Sequence, residues 1–348
     1  MKKTVFAAMS GGVDSSVAAY LLTRAGYNVT GVTMTLYRSN GETGDTQDVI
    51  DARAICDKLG IPHITYDMGE IFCGCVIEDF IKIYEEGGTP NPCVTCNKTI
   101  KFGALWEAVT KDGADMIATG HYARIKRDGD RYLLCKAIDE NKDQSYFLWQ
   151  LPKELLPHIL FPLGEMTKPD IRALAAEQGF ETAHKSDSQD ICFVPDGDYA
   201  GFMEAYTGRV SEPGDFVDTD GRVLGRHKGI IHYTIGQRKG LGIALGEPVF
   251  VCAKDPVTRQ VVLGKNRDLF TREVNLTHVN LLSVDTIDIP MAVTARIRST
   301  HRGDAATVVM TGKDTALVTF DEPQRAACRG QSCVFYDGDI VVGGGIIV

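Results

Sequence analysis

The sequence lacks any run of about 18 apolar residues, the length that a membrane-spanning helix needs, so we expect no membrane span. It also lacks a Gly-x-x-x-x-Gly-Lys-Ser/Thr motif, which argues against a kinase or ATPase of the Walker type. Positive charge is not in excess, because 37 lysines and arginines stand against 46 acidic residues and the formal net charge is −9. Net charge is a weak guide for a large chain, however, since a local basic face can bind phosphates.

An export signal and a disulfide framework are not indicated either. The N-terminal apolar stretch breaks at Ser10-Gly11-Gly12 after about six residues, too few for the apolar core of a signal peptide. Ten cysteines in a large chain of this kind are expected to be thiols rather than disulfides. We therefore expect a cytoplasmic protein.

The chain is organised around the segment Ser10-Gly11-Gly12-Val13-Asp14-Ser15-Ser16, which follows a short apolar strand. We predict a glycine-rich turn here and a helix that begins near Val17. Glycine lets the backbone approach a ligand closely, and a helix N-terminus adds partial positive charge at the same point. With three serine hydroxyls nearby, the segment predicts a site for phosphate or pyrophosphate.

Apolar periodicity after this segment alternates between strand and helix. Strands are predicted at 32–36, 63–66 and 115–119, and helices at 49–59, 71–85, 100–111 and 171–178. Such alternation predicts a doubly wound α/β fold with a parallel sheet, in which ligands lie beyond the carboxyl ends of the strands. The glycine-rich turn, Met34 and Gly120 all fall at that edge.

Past about Tyr206 the pattern becomes one of short strands. A hairpin signal at 218–221 and paired strands at 249–252 and 260–263 indicate a small β-rich unit. Short strands from about Arg272 onward predict a β-barrel. We therefore predict a catalytic α/β domain at 1–206, a central β-rich domain at 207–270 and a C-terminal β-barrel at 271–348.

Two cysteines lie in a segment rich in glycine and proline, residues 87–97. This composition predicts a constrained loop. If Asn97 caps the next helix, Cys96 lies beside a helix N-terminus, which would lower the pKa of its thiol. A third cysteine, Cys192, follows the polar segment 186–190. A closed structural zinc site is disfavoured, because this Cys-x-x-Cys has no second pair.

Several strings together resemble the tRNA-specific 2-thiouridylase family of ATP pyrophosphatases. They are Ser-Gly-Gly-Val-Asp-Ser-Ser, Asn91–Asn97, Thr119–Arg124, Lys142–Leu148, Asp187–Val194, Tyr233–Leu241 and Gly330–Tyr336, in this order over nearly the whole chain. The resemblance implies a tRNA-uridine 2-sulfurtransferase that uses ATP and Mg²⁺. It would adenylate the C2 oxygen of the wobble uridine and replace it with sulfur from a cysteine persulfide. It implies tRNA and a persulfide donor or relay protein as partners, and we expect a monomer.

The resemblance also implies roles for individual residues. Cys96 would be the nucleophile and Cys192 the persulfide carrier, with Cys96 either reducing the persulfide or resolving it as a disulfide. The residues implied to bind ATP are Ala8, Met9, Ser10, Gly11, Gly12, Val13, Asp14, Ser15, Met34 and Gly120. Those implied to contact tRNA are Asn91, Pro92, Cys93, His121, Lys142, Asp143, Gln144, Arg298, Ser299 and Gln331.

One position departs from the family pattern, and it leaves alternatives open. Many members have Asp where this chain has Cys93, so the acid–base group is not assigned. Cys93, Cys96 and Cys192 could instead hold a 4Fe–4S cluster with one open iron, although the metal-free persulfide route is preferred.

Two further hypotheses are an amide-forming ligase for small molecules on the same ATP scaffold and a non-catalytic RNA-binding protein that keeps a nucleotide site. The ligase would need neither the cysteine pair nor the barrel.

Overall fold

The computed structural model describes residues 2–37, 45–185, 191–243 and 245–348, so the polar segment 186–190 lies outside the described residues. Seven strands lie in the first part of the chain: β1 (Thr4–Ala8), β2 (Asn28–Thr35), β3 (His63–Asp67), β4 (Met116–Ala118), β5 (Ala123–Asp128), β6 (Arg131–Lys136) and β7 (Ile159–Leu160). Five of them form a parallel sheet in the order β3-β2-β1-β4-β7. The predicted doubly wound sheet is therefore confirmed.

The α-helices of the described residues are α1 (Val13–Arg24), α2 (Gln47–Leu59), α3 (Gly69–Phe72), α4 (Glu78–Glu85), α5 (Pro92–Cys96), α6 (Leu105–Lys111), α7 (Lys168–Glu177) and α8 (Tyr199–Thr207). Two π-helical segments, Cys73–Ile77 and Asn97–Ala104, join α3 to α4 and α5 to α6. Each of these pairs is thus one continuous helix. Short 3₁₀ turns occur at Ser145–Phe147, Lys153–His158, Glu181–His184, Ile230–His232 and Asn266–Leu269.

The parallel sheet is covered on both faces, because alternate residues of β1 enter different cores. Val5 and Ala7 pack in a core with residues of α1, α2 and α7. Phe6, on the opposite face, packs in the core that contains the α3–α4 and α5–α6 helices. The carboxyl ends of β1, β2 and β4 are left to form one edge. Within the described residues, none of the helices combines the length and apolarity that crossing a membrane requires.

The rest of the chain is almost entirely β-structure. The central sheet contains β8 (Gly214–Val217), β9 (Val223–His227), β10 (Phe250–Asp255) and β11 (Gln260–Gly264), in the order β10-β11-β8-β9. The last strands are β12 (Phe270–Leu281), β13 (Met291–Arg296), β14 (Asp304–Met310), β15 (Ala316–Arg325), β16 (Ser332–Asp337) and β17 (Ile340–Ile347). Pairing of β12 with both β15 and β17 closes these six strands into the predicted barrel. The predicted domain boundaries near 206 and 270 lie at the end of α8 and the start of β12.

Two local predictions are wrong, and one element was not predicted at all. The first helix begins at Val13 rather than near Val17, because Gly12 is extended and the helix follows it directly. The segment around Cys93 is a helix rather than a loop: Pro92 occupies the first helical position, where its missing N–H costs nothing. The hairpin β5–β6 was not predicted, and it extends the barrel sheet through β17.

Candidate active site

The turn between β1 and α1 forms a cradle of backbone groups. Gly11 has φ +66°, and a Cβ there would lie 2.8 Å from the backbone of Asp48. Gly12 has no side chain with which to cap α1, so the first-turn N–H groups remain available to a ligand. Ser15 Oγ accepts from Ser10 N and donates to Gly12 O, both at 3.1 Å, which fixes the turn. This arrangement fits a phosphate group.

The edge of the sheet beside the cradle holds the other predicted nucleotide-binding residues. Gly120 follows β4, and a Cβ at this residue would lie 2.9 Å from the backbone nitrogen of Ser15. Only glycine therefore allows β4 to end so close to the cradle. Met34 lies near the end of β2 and is half-buried. The structure thus brings the predicted ATP-binding residues together.

A lysine from outside the motif pairs with the cradle's acidic residue. Lys168, the first residue of α7, places Nζ 2.8 Å from both carboxylate oxygens of Asp14. The side chain of Lys168 is 9% exposed and that of Asp14 31%, and Tyr122 also donates to Asp14 at 2.7 Å. The capping box at Thr167 signals the start of α7, but nothing in the sequence connects Lys168 with a residue 154 positions earlier.

A second lysine contacts the cradle backbone directly. Lys185 Nζ donates to Gly11 O at 3.1 Å and forms ion pairs with Asp51 and, at 3.9 Å, with Asp48. Its hydrogen bond lowers the pKa of the Asp51 carboxyl. Arg172 of α7 holds this segment in place by donating to Lys185 O at 3.2 Å. The cradle contains no lysine of its own, yet two ammonium groups reach it from distant parts of the chain.

The cysteine pair lies on the helix that begins at Pro92. Cys93 is exposed, whereas Cys96 is 7% exposed and lies inside the continuous α5–α6 helix. The surrounding protein desolvates both thiols and raises their pKa, even though Cys93 keeps solvent-exposed surface. The prediction that Cys96 lies at a helix N-terminus with a lowered pKa is therefore wrong, because Asn97 continues the helix instead of capping it.

Cys192 lies close enough to the pair for their charges to interact. Desolvation by the surrounding protein, with smaller contributions from Cys96 and Cys93, raises its pKa to about 11, although the residue keeps solvent-exposed surface. Its neighbour Phe193 packs edge-on against Phe80, with ring centroids 5.2 Å apart, in the core that also contains Cys96. Cys192 is therefore within electrostatic range of the cysteine pair.

All ten cysteines lie in the described residues and are free thiols. Within the same residues, no group of three or more His, Cys, Asp or Glu side chains is placed to hold a metal ion. Cys93, Cys96 and Cys192 therefore do not form a ready ligand set for a 4Fe–4S cluster, and we derive no step through one.

A single cation influences all three thiols. Lys101, on the π-helical segment that follows Cys96, lowers the pKa of Cys93, Cys96 and Cys192 and so opposes the effect of burial. It is also the charged group that lowers the pKa of His121. Lys101 was not among the predicted site residues, although its place five residues after Cys96 on a helix was a usable signal.

His121 connects the cradle edge to the thiol-bearing helix. Its Nδ1 lies 2.7 Å from Thr119 Oγ1, and its ring packs 6.1 Å from that of Phe102 on the helix. Burial, together with Lys101, places its pKa well below the ordinary value. The imidazole is therefore neutral near pH 7.

Comparisons with known proteins bear on the family and on the order of the three domains. Three family models match the chain in order: "tRNA methyl transferase HUP domain" at 3–196, "tRNA methyl transferase PRC-barrel domain" at 200–265 and "Aminomethyltransferase beta-barrel domain" at 271–347. A relative from Clostridioides difficile named "tRNA-specific 2-thiouridylase MnmA" is 48% identical over 355 residues, which cover 100% of this chain and 98% of the relative. One of the same name from Lachnoclostridium phytofermentans is 48% identical over 357 residues and covers 100% of both chains. The chain belongs to the tRNA-specific 2-thiouridylase family.

The 2-thiouridylase family implies tRNA contact for several residues. One of them, Gln331, holds the turn before the thiol-bearing helix. Gln331 Nε2 donates to the carbonyl oxygens of Thr89 and Pro90, both at 3.0 Å, in the turn that leads to Asn91. Pro92 is buried, whereas Cys93 is exposed at the start of the helix. Contact of these residues with the target base stays a prediction.

Residues 142–144, which the 2-thiouridylase family resemblance assigns to tRNA contact, differ in side-chain exposure and in their partners within the protein. Asp143 is 4% exposed on its side chain and forms an ion pair with Arg296 Nη1 at 3.0 Å. Gln144 Oε1 accepts from the backbone of Tyr122 at 2.9 Å, and Lys142 is half-buried. Their contact with tRNA stays a prediction, and the structure gives Asp143 and Gln144 partners within the protein.

The remaining basic candidate lies on the barrel. Arg298 is exposed two residues after β13, and Ser299 O accepts from Arg296 Nη2 at 2.6 Å. Burial raises the pKa of the Cys328 thiol, and the nearby charges of Lys254 and Arg298 partly oppose this effect. The Arg298 side chain is therefore free to meet solvent or a phosphate while its neighbour is held in the barrel.

Proposed function

We propose that this chain catalyses the ATP-dependent 2-thiolation of the wobble uridine of tRNA. The observation that carries the proposal is the placement of Cys192 within electrostatic reach of Cys96, on a scaffold whose sheet edge holds a backbone cradle for phosphate. The name of the curated relatives, tRNA-specific 2-thiouridylase, supports tRNA as the substrate.

The first step of the proposed reaction activates a poor leaving group. The C2 oxygen of uracil attacks the α-phosphorus of ATP, which releases pyrophosphate and leaves the oxygen as part of an adenylate. The cradle N–H groups, with Lys185 at Gly11, would stabilise the negative charge on the departing phosphates. Mg²⁺ bound to ATP would offset charge on the triphosphate.

The second step exchanges oxygen for sulfur. The terminal sulfur of a persulfide on Cys192 attacks C2, and AMP departs with the former C2 oxygen. The Cys96 thiolate then attacks the Cys192 sulfur, which leaves 2-thiouridine and a Cys96–Cys192 disulfide. If Cys96 attacks first, hydrosulfide is freed to attack C2 and the same disulfide forms. Both routes require an external thiol to reduce the disulfide, and a persulfide donor or relay protein to reload Cys192.

Both routes need a thiolate as the attacking group, so thiol ionisation limits the rate of sulfur transfer. The raised pKa values of Cys93, Cys96 and Cys192 keep all three protonated near pH 7 in the absence of substrate. The neutral His121 and the cation of Lys101 are the groups of this site that can accept a proton or stabilise a thiolate. The rate of sulfur transfer is therefore expected to rise with pH.

The test is mass spectrometry of tRNA nucleosides after incubation with ATP, Mg²⁺, a persulfide donor that loads Cys192 and an external thiol that reduces the disulfide. We expect 2-thiouridine at the wobble position with the wild-type chain, and its loss in Cys96→Ser and Cys192→Ser with ATP binding intact. Cys252→Ser, at a half-buried thiol of the central domain, is the matched control. Undiminished 2-thiouridine in both serine variants would contradict the mechanism and favour an amide-forming ligase or a non-catalytic RNA-binding protein.

A further inference from the structure

The turn that leads into the thiol-bearing helix is held by two other parts of the chain. We call residues 87–91 the thiol turn. From the barrel side, Arg329 O accepts from Thr89 N at 2.8 Å, and Gln331 donates to two carbonyl groups of the turn. From the central domain, Lys254 Nζ donates to Gly88 O at 3.2 Å. Pro92, the first residue of the helix, follows the turn directly.

Lys254 is a half-buried lysine whose ammonium group contacts the thiol turn with no acidic partner among the described residues. It lies on β10, and its Nζ also donates to Tyr233 O at 2.8 Å and lies 5.5 Å from the ring centroid of Tyr84. In residues 2–37, 45–185, 191–243 and 245–348, no carboxylate is found within ion-pair distance of it. Its ammonium group is therefore held by carbonyl oxygens and an aromatic face, not by an acid.

The backbone packing leaves the thiol turn little freedom at this point. Gly87 has φ +79°, and a Cβ there would lie 3.3 Å from Lys254 O and 3.5 Å from Lys254 Cβ. Gly88 is packed more tightly, since a Cβ there would lie 2.7 Å from Ile83 Cγ2 and 3.0 Å from Arg329 O. Both the backbone and the side chain of Lys254 thus meet the turn.

We propose that Lys254 is a positioning residue for sulfur transfer, because its ammonium group fixes the thiol turn and thereby the approach of Cys96 to Cys192. Lys254 contacts neither the cradle nor the thiols of Cys96 and Cys192, so it acts through the thiol turn. The proposal rests on the proposed function, since the role of the two thiols is itself proposed. Reacting groups that are misplaced by about 1 Å can lose on the order of 100-fold in rate.

The charge of Lys254 gives the proposal a distinctive pH dependence. Burial lowers its pKa to about 8. The titratable groups that face it are Tyr84, Tyr233 and Cys328, whose pKa values are all raised by burial, so they are neutral at pH 8. Above pH 8 the ammonium group therefore loses its proton while its neighbours do not change, and its hold on the turn weakens.

The experiment compares Lys254→Met, Lys254→Arg and the matched control Lys265→Met, an exposed lysine of the same domain. Three measurements are made on the full chain: the single-turnover rate of 2-thiouridine formation, ATP affinity, and alkylation of individual cysteines by peptide mass spectrometry. Lys254→Met is expected to lose about tenfold or more in rate while ATP affinity stays within about twofold. Alkylation of Cys96 should accelerate severalfold while that of Cys333, fully buried in the barrel, does not change.

The arginine variant supplies the test of charge. Arginine stays protonated at every accessible pH, so the ratio of its rate to that of the wild type should increase between pH 7 and pH 9. The same ratio for Lys265→Met should stay constant. If Lys254→Met does not fold, Lys254→Gln replaces it, because glutamine keeps N–H donors but carries no charge.

Two results would overturn the proposal. One is a Lys254→Met enzyme with the wild-type rate and unchanged alkylation of Cys96. The other is equal acceleration at Cys96 and Cys333, which would mean general loosening of the fold. A wild-type chain that forms no 2-thiouridine would instead refute the proposed function, and the alkylation pattern would still decide whether Lys254 positions the turn.

Discussion

Replacing Asp143 with asparagine tests whether this residue serves the fold or the tRNA. The Asp143 and Arg296 side chains are 4% and 12% exposed, and Nη1 of the arginine lies 3.0 Å from the carboxylate. Asp143 also accepts from the backbone nitrogens of Ala137 and Ser145 at 3.2 and 3.1 Å. Removing one partner of a buried ion pair costs about 3–5 kcal/mol. Because Arg296 keeps its bonds to two carbonyl oxygens, we expect the lower end, about 3 kcal/mol.

Urea unfolding followed by tryptophan fluorescence measures this loss. Trp149 is fully buried and donates to Ser332 Oγ of the barrel at 2.9 Å, so its emission reports on the same interface. Asp130→Asn, at an exposed position in the neighbouring hairpin, is the matched control and should leave the unfolding free energy within about 0.5 kcal/mol. A double-mutant cycle with Arg296→Met should give a coupling of about 2 kcal/mol.

The opposite result has a clear meaning. If Asp143→Asn unfolds like the wild type but binds tRNA much more weakly, the side chain contacts tRNA directly. The ion pair with Arg296 would then contribute little to stability, and Asp143 would keep the tRNA-contacting role implied by the family resemblance.

Three further predictions concern the site itself. Lys101→Met should raise the pKa of all three thiols, measured by the pH dependence of alkylation, whereas Lys98→Met, exposed on the same helix, should not. In the wild type, alkylation of Cys192 should rise about tenfold per pH unit between pH 7 and 10, because its pKa is about 11 and the thiolate is the reactive form; a flat profile would show that the thiol is already ionised. Gly11→Ala should abolish measurable ATP binding, because φ is +66° and a Cβ would lie 2.8 Å from backbone atoms. Gly113→Ala has φ +91° but open space, so it should cost only about 1–2 kcal/mol of backbone strain and leave ATP affinity unchanged.

The cradle could be predicted because its chemistry is local. A strand, two glycines and a helix follow one another within about a dozen residues, and Gly120 is assigned to the same edge by the rule for parallel sheets. The segment around Cys93 was misjudged because glycine and proline usually interrupt a helix. Proline at the first helical position does not, and here Pro92 begins the helix.

The contacts that complete the site could not be predicted, since they join residues far apart in the chain. Lys168 meets Asp14 across 154 positions, and Lys254 meets Gly88 across 166. No periodicity or motif encodes such pairs, because they depend on how separate elements pack. Only the packed structure shows that Asp143, implied by the family to meet tRNA, already has a cationic partner in the barrel.

The hairpin β5–β6 belongs to the first domain in sequence but pairs with the C-terminal barrel, so cutting the chain between domains would break this pairing. Ile340 of β17 pairs with Cys135 of β6, and Lys136 N donates to Asp339 O at 2.8 Å, so the nucleotide-binding half contributes edge strands to the barrel. A barrel expressed alone would leave the start of β17 at Ile340 without its partner in β6, and this unpaired edge would make it prone to self-association. Transplanting the barrel between relatives should therefore succeed only when the hairpin travels with it.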